Sequence, residues 1–213
     1  MKFNKDMLLL YAITDQRWAA ETPLYRQVEA ALRGGATMIQ LREKDLAEER
    51  FIEEALLIGD LCHRYNVPLI IDDNVHVALK SGADGVHVGA EDMSVEDVRR
   101  MTGRDFIIGA TAKTPSQAIA AEKSGADYLG VGAVFPSPTK SSAVRITTQQ
   151  LNEICSSVAI PAVAIGGINE NNIQELYGCG AAGIAVISAI FGSRDIASAT
   201  AALRSKAKEV LFP

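Results

Sequence analysis

The sequence has few of the residues that carry disulfide, zinc or histidine-based chemistry. It contains three histidines and three cysteines, and the cysteines, Cys62, Cys155 and Cys179, are far apart in the chain. No two of them stand at CxxC spacing, so neither a disulfide framework nor a zinc site is expected, and a reducing, cytoplasmic location is favoured. The sequence also has no Ser-His-Asp pattern and no histidine cluster with ligand spacing.

Long apolar segments and an excess of positive charge are absent as well. The longest apolar stretch near the start, Met7–Ile13, is too short to span a bilayer, and no small-residue cleavage site follows it. Lys and Arg total 21 against 26 for Asp and Glu, a formal net charge of -5. Nucleic acids and anionic membranes both require a basic surface, so neither is expected as a partner. The negative net charge is compatible with a small anionic ligand, because such a ligand interacts only with the charges around its pocket.

The sequence does contain a repeated short pattern, in which Gly-Ala is followed by an apolar run. The pattern begins at Gly35, Gly82, Gly125 and Gly180, each time after a helix-like stretch. Glycine is typical just after a helix because it adopts positive φ without penalty. Each apolar run is interpreted as a strand buried on both faces, as in a parallel sheet. Four further apolar runs are interspersed with these: Leu8–Ile13, Val67–Ile71, Phe106–Gly109 and Ile160–Ile165.

Helical patterns separate the eight predicted strands. They cover Pro23–Arg33, Glu48–Tyr65, Val75–Lys80, Ser94–Met101, Pro115–Lys123, Thr147–Cys155, Glu170–Tyr177 and Ala197–Val210. Thr22 is the expected N-cap of the first helix, with Pro23 at its first position. Eight alternating units in 213 residues predict an α/β fold, a (β/α)8 TIM barrel forming a single domain over residues 1–213. A doubly wound open sheet is the alternative, and the missing GxGxxG fingerprint disfavours it.

Active sites of such barrels lie at the C-terminal ends of the strands, and in this sequence those positions are polar. Asp73 and Asp92 follow neighbouring strands 3 and 4. Two converging carboxylates predict a bound cation, and Mg²⁺ fits because it prefers carboxylate and phosphate oxygens. The alternative is that each aspartate caps the helix that follows it.

Cations occupy the same predicted rim. Arg42 and Lys44 are two apart on an extended segment and should point the same way, while Lys113 and Lys140 follow strands 5 and 6. Cations beside a two-carboxylate metal site indicate a diphosphate ligand, and solvated surface lysines are the alternative. The Phe135–Ser142 loop is long and carries Lys140, so it is predicted to be a lid over the phosphates.

A phosphate cradle is predicted where strands 7 and 8 end. Gly166-Gly167 follows strand 7, and Ser188 follows strand 8. Barrels commonly bind phosphate there through backbone N–H groups. The alternative is a tight turn that needs two glycines.

Several of these motifs together resemble thiamine phosphate synthases, and the resemblance extends over nearly the whole chain. The motifs are Tyr11-Ala12-Ile13-Thr14-Asp15, Gln40-Leu41-Arg42-Glu43-Lys44, residues 82–89 with Glu91-Asp92, residues 136–140, and Ala164-Ile165-Gly166-Gly167-Ile168. The resemblance implies a (β/α)8 enzyme that joins hydroxymethylpyrimidine diphosphate to a thiazole phosphate, with Mg²⁺ as cofactor. Its partners would be these small molecules, with a homo-oligomer left open.

The resemblance also implies which residues bind each substrate. The pyrimidine diphosphate would be held by Gln40, Leu41, Arg42, Glu43, Lys44, Asp72, Thr111 and Lys140, of which Arg42, Lys44, Thr111 and Lys140 would be catalytic. Mg²⁺ would be bound by Asp73 and Asp92. The thiazole phosphate would be held by Ser137, Pro138, Thr139, Gly167, Ile187 and Ser188.

The sequence departs from the family at three positions. Asp72 stands where the family usually has Asn, Ala90 where it has an amide side chain, and Lys113 where histidine is common. An ionised Asp72 cannot donate to a pyrimidine nitrogen, so contact with the pyrimidine and contact with the metal are both open for it. Two rival functions are a thiazole tautomerase, which needs a histidine base and no metal, and a non-catalytic phosphate-binding barrel.

Overall fold

The structure, a computed structural model, describes residues 1–18, 22–137 and 144–212, and its centre is a closed barrel of eight parallel strands. Neighbouring strands pair in sequence order, and β8 pairs with β1 to close the barrel. The predicted (β/α)8 fold is therefore confirmed. The strands are β1 Leu10–Ile13, β2 Met38–Leu41, β3 Leu69–Asp72, β4 Gly85–Val88, β5 Ile107–Ala112, β6 Tyr128–Gly132, β7 Ala162–Ile165 and β8 Gly183–Val186.

Helices surround the barrel and connect most of the strands. They are α1 Leu24–Arg33, α2 Glu48–Arg64, α3 Val75–Ser81, α4 Val95–Thr102, α5 Pro115–Lys123, α6 Thr148–Ser156, α7 Ser188–Phe191 and α8 Ile196–Leu211. Short 3-10 helices cover Lys5–Leu8, Gln16–Trp18 and Ile173–Leu176. None of the helices in the described part of the chain is long and apolar enough to cross a membrane.

The predicted start of the first helix is wrong by one residue. Helix α1 begins at Leu24, and Pro23 is its N-cap, with its carbonyl accepting from the backbone N–H of Gln27 at 3.2 Å. The predicted N-cap, Thr22, instead accepts through its own carbonyl from the Gln27 side chain at 2.7 Å. The Gln27 side-chain amide thus fixes the segment just before the helix by a hydrogen bond, and the Thr22 hydroxyl does not act as the N-cap.

The predicted helix over Glu170–Tyr177 is reduced to the 3-10 turn Ile173–Leu176. Asparagine side chains bond to the backbone just before it: Asn172 Oδ1 accepts from the Asn169 N–H, and Asn169 Oδ1 from the Asn171 N–H, both at 2.9 Å. Such local bonds offer the backbone an alternative to helical pairing, so a full helix does not form.

Apolar side chains fill two separate layers because each strand is buried on both faces. The larger cluster lies between the barrel and its helices, and the smaller one lies inside the barrel around Tyr11, Met38, Ile70 and Tyr128. The N-terminal segment covers the bottom of the interior, where Phe3 stacks on Tyr128 with ring centroids 5.9 Å apart. The interior is therefore a packed core that is open only at the C-terminal rim.

The repeated Gly-Ala pattern stabilises the N-terminal rim. All four glycines have positive φ, +94°, +67°, +98° and +80° in chain order. The residue after Gly-Ala accepts a bond from an N–H near the start of the preceding strand in three of the four repeats. Thr37 accepts from β1 at 2.8 Å, Asp84 from β3 at 3.0 Å and Asp127 from β5 at 2.7 Å. The fourth repeat has Ala182 there, which has no side-chain acceptor.

Replacing Asp127 tests this role in stability. Asp127 accepts from Ile108 and also pairs with Arg99 at 2.7 Å. Asp127→Ala should lower the free energy of unfolding in urea by about 1 to 3 kcal/mol, because it leaves a part-buried N–H without its acceptor. Asp105→Ala, at an exposed aspartate in the turn before β5, is the matched control and should change stability by less than about 0.5 kcal/mol. If Asp127→Ala and Asp105→Ala lower the free energy of unfolding equally, the role of Asp127 in stabilising the N-terminal rim is contradicted.

Candidate active site

Cations and carboxylates from three neighbouring strands meet at the C-terminal rim. Lys44 Nζ lies 2.8 Å from Asp72 Oδ2 and also donates to Asp73. Arg42 Nε lies 3.6 Å from Asp72 Oδ2, and its Nη1 lies 3.8 Å from Asp15 Oδ2. Arg42 and Lys44 therefore point the same way, as the sequence spacing predicts. Their positive charges face the opening of the barrel, where a diphosphate would enter.

Asp73 and Asp92 come together at the ends of β3 and β4. Their carboxyl groups are in hydrogen-bond contact, and partial desolvation of the largely exposed Asp92 together with this contact raises its pKa above the ordinary value. The Gly89 N–H also donates to Asp92 at 2.7 Å. The alternative interpretation, that the two aspartates cap helices, is wrong, because Asn74 caps α3 and Ser94 caps α4.

The donor set at this position suits Mg²⁺. Two carboxylates that share a hydrogen bond have oxygens placed to share a cation instead. Among residues 1–18, 22–137 and 144–212, no group of three or more His, Cys, Asp or Glu residues is placed to hold a metal ion. The pair would thus leave most of the coordination shell to water and phosphate oxygens, which is how Mg²⁺ is usually bound in proteins.

Gln40 and Thr111 face the barrel interior and are linked by buried side chains that motif reasoning did not assign to the site. Tyr11, Tyr128 and His87 lie between them in one hydrogen-bonded chain. Burial lowers the pKa of His87 and raises the pKa of both tyrosines. All three are therefore neutral around pH 7. The inward alternation of positions 11 and 128 along their strands was the signal that could have found them.

Leu41 points away from the rim opening, whereas Glu43 lines the same rim pocket as Arg42 and Lys44. Leu41 is fully buried in the layer between barrel and helices. Glu43 accepts from Gln16 at 2.9 Å and contacts Glu54. The Leu41 side chain is therefore not available to a ligand, which leaves only its backbone groups, and the assignment of Glu43 to substrate binding stays a prediction.

The predicted phosphate cradle is formed by loops that approach closely. Gly166 and Gly167 have φ of +102° and +66°. A Cβ on Gly167 would lie 2.2 Å from the carbonyl oxygen of Pro136, so the loops after β6 and β7 pack backbone to backbone. Ile187 and Ser188 follow the neighbouring β8, with Ser188 as the first residue of α7. Binding of phosphate here stays a prediction.

Residues 138–142 of the predicted lid, Phe135–Ser142, lie outside the described residues. Pro138, Thr139 and Lys140 belong to the undescribed range 138–143, and Ser137 is the last described residue before it. Lys113, the cation after β5, donates its backbone N–H to Gln117 at 2.8 Å. The contacts predicted for Lys140 therefore stay predictions.

The fold and this rim define a class of protein: a TIM-barrel protein whose C-terminal rim brings paired carboxylates together with cations. A family model described as thiamine monophosphate synthase matches residues 10–190. The chain belongs to this family, and family membership makes it a transferase.

Individual relatives agree with the family assignment. The chain is 41% identical over 208 residues to thiamine-phosphate synthase 2 of Streptococcus pneumoniae serotype 4, covering 98% of this chain and 99% of that protein. It is 44% identical over 197 residues to thiamine-phosphate synthase of Clostridium tetani, covering 92% and 94%. The solved structure of thiamine phosphate pyrophosphorylase from Pyrococcus furiosus superposes with a TM-score of 0.90 at 43% identity, covering 97% and 98%.

The buried Glu43 carboxyl predicts a pH-dependent stability. Burial, and more weakly Glu54, raises the pKa of Glu43 to about 7 in the folded chain. The folded state then holds a proton that the unfolded state releases at lower pH, so stability declines as pH rises from about 5 to 8. Glu43→Gln should weaken this decline, part of which Glu54 retains because burial raises its pKa too, and should melt about 2 to 4 °C above the unmodified chain at pH 8, with less difference at pH 5.5.

The control for this prediction is Glu49→Gln, at an exposed position in the first turn of α2. It should follow the pH dependence of the unmodified chain. Parallel melting curves for the unmodified chain and Glu43→Gln across this pH range would show that Glu43 does not hold the proton.

Proposed function

We propose that this chain forms thiamine phosphate and diphosphate from hydroxymethylpyrimidine diphosphate and a thiazole phosphate, and thus transfers an alkyl or aryl group other than methyl. The observation that carries the proposal is the convergence of Asp73 and Asp92 next to Lys44 and Arg42. Acidic metal ligands and cations on one rim match a diphosphate leaving group. The relatives described above bear the same activity in their names.

The reaction breaks the bond between the pyrimidine methylene carbon and a diphosphate oxygen, and forms a bond from that carbon to the thiazole nitrogen. The nitrogen carries no proton, so the step needs no general base. The electron-rich aminopyrimidine stabilises positive charge on the methylene carbon as diphosphate leaves. The protein then has to neutralise the departing diphosphate and exclude water that would capture the carbon.

The described residues are suited to both tasks. Arg42 and Lys44 are held at the rim by carboxylates and are therefore oriented before a substrate arrives. Asp73 and Asp92 would hold Mg²⁺, which when bound supplies positive charge to the leaving diphosphate. The packed interior below Gln40 and Thr111 excludes water from one side of the reacting carbon. The loop carrying Lys140 would cover the other side.

Asp92→Asn tests the metal proposal. The unmodified chain should form thiamine phosphate from the two substrates with Mg²⁺ and lose activity when the metal is chelated. Asp92→Asn should lower turnover by about 10²-fold or more and require more Mg²⁺, because one charged ligand is lost. Its melting temperature should not fall, since the residue is exposed at the rim.

The matched control is Glu91→Gln, which removes the neighbouring exposed charge and should retain normal turnover. Unchanged turnover and Mg²⁺ requirement in Asp92→Asn would remove this residue from the metal site. A metal-independent reaction of the unmodified chain would contradict the proposal as a whole.

Asp72→Asn tests the role of Asp72, which stands where the family usually has Asn. Asp72 contacts Lys44 and Arg42, which favours a role in orienting these cations. The amide should release them to the diphosphate, so the KM for pyrimidine diphosphate should fall by up to about 5-fold, the scale of one partly exposed ion pair. The Mg²⁺ requirement should stay the same. A raised Mg²⁺ requirement at constant KM would instead identify Asp72 as a metal ligand.

A further inference from the structure

A cavity of about 330 Å³ opens at the C-terminal rim between the segments that follow β1 and β2. Its described lining includes three cations, Arg17 from the first segment and Arg42 and Lys44 from the second. The resemblance to the family assigns Arg42 and Lys44 to the diphosphate and gives Arg17 no role. The cavity therefore contains one cation more than the predicted diphosphate site.

The three cations form a row that two carboxylate oxygens connect. Asp15 Oδ2 lies 2.7 Å from Arg17 Nη2 and 3.8 Å from Arg42 Nη1. Asp72 Oδ2 lies 3.6 Å from Arg42 Nε and 2.8 Å from Lys44 Nζ. Neighbouring cations thus share one oxygen in each case, so an anion with several charges can contact more than one of them.

Asp15 fixes the orientation of Arg17. Its Oδ1 accepts from the backbone N–H and from Nε of Arg17, both at 3.0 Å, and its Oδ2 accepts from Nη2 at 2.7 Å. The Asp15 side chain is only 6% exposed, and the hydrogen bonds from Arg17 lower its pKa, so the carboxylate stays ionised around pH 7. The Arg17 side chain is 51% exposed, so the guanidinium is anchored at one edge while about half of the side chain remains accessible to a ligand.

The position of Arg17 at one end of the row indicates which phosphate it can reach. Gln40 and Thr111, the predicted pyrimidine contacts, face the barrel interior. Arg17 lies beyond the end of β1, in the exposed 3-10 helix Gln16–Trp18. The diphosphate is joined to the pyrimidine through its inner phosphate, so its terminal phosphate lies further from the ring. Of the two phosphates, the terminal one can therefore extend toward Arg17.

We propose that Arg17 is a further substrate-binding residue, which contacts the terminal phosphate of the diphosphate in the cavity that it shares with Arg42 and Lys44. A guanidinium anchored by a buried carboxylate presents N–H donors in fixed directions, and this geometry suits phosphate oxygens. The inference rests on the proposed function, since it takes the substrate to be a pyrimidine diphosphate. It adds a contact that distinguishes a diphosphate from a monophosphate.

Removing the guanidinium tests the inference. Binding of inorganic diphosphate, of the pyrimidine diphosphate and of the corresponding pyrimidine monophosphate is measured by calorimetry with Mg²⁺, and KM values are measured in the full reaction. Arg17→Gln should weaken binding of both diphosphates by about 10-fold, the factor expected for one charge-assisted hydrogen bond in a partly exposed site. Binding of the monophosphate and the KM for the thiazole phosphate should each stay within about 2-fold.

A double variant separates a direct contact from an effect of Asp15. Arg17→Gln leaves the buried Asp15 carboxylate without its nearest cation, and this charge would itself repel a diphosphate. Asp15→Asn removes that charge. If Arg17 contacts the phosphate directly, Arg17→Gln should cause the same loss of diphosphate affinity in the Asp15→Asn background. Disappearance of the loss in that background would overturn the inference, because the loss would then come from Asp15.

The matched control is Arg33→Gln, at the last residue of α1 on the opposite rim. The Arg33 side chain is 65% exposed and lies 3.7 Å from the Glu29 carboxylate, so its replacement removes a similar cation away from the cavity. It should change the affinity for none of the three ligands. A loss equal to that of Arg17→Gln would show a general effect of net charge and would overturn the inference.

Three other results would also contradict it. Unchanged diphosphate binding in Arg17→Gln, while the unmodified chain forms thiamine phosphate, leaves the proposed function standing without this contact. An equal loss for the monophosphate and the diphosphate shows that Arg17 does not recognise the terminal phosphate. An unmodified chain that forms no thiamine phosphate removes the proposed function and this inference with it.

Discussion

The structure depends on one constraint, that every strand of the closed barrel is buried on both faces. Apolar side chains fill the layer under the helices and most of the interior, so polar groups are confined to strand ends or must be fully paired. The N-terminal rim meets this constraint with Thr37, Asp84 and Asp127, which accept from strand N–H groups. The C-terminal rim carries charges that the fold itself does not require.

The interior polar residues satisfy the same constraint in another way. Tyr11, Tyr128 and His87 are paired end to end with Gln40 and Thr111, so polar groups lie inside the core without losing hydrogen bonds. Since these bonds connect β2 and β5 through β1, β6 and β4, the polar interior of the barrel is tied to barrel closure.

Features that depend on local patterns were predictable from the sequence, and features that depend on register were not. The Gly-Ala repeats predict four strands because a glycine of positive φ and a buried run are local properties. Asp73 and Asp92 are predictable because strand ends of a barrel meet at one rim. The Tyr11–Tyr128 contact joins residues 117 apart and depends on barrel closure, which no short motif encodes. The outward direction of Leu41 is hidden in a motif whose strand residues alternate between the two faces of the barrel.

Under the proposed function, the pairing of Arg42 and Lys44 with carboxylates would make substrate entry an exchange of counterions. Both cations already have carboxylate partners: Lys44 pairs with Asp72 and Asp73, and Arg42 with Asp72 and Asp15. On that proposal, a diphosphate that arrives with its divalent cation would bring phosphate oxygens to Arg42 and Lys44 and the metal to the carboxylates. The net charge of the rim then changes little on binding, so a metal-free diphosphate would be a poor ligand, because it would repel the carboxylates that it displaces.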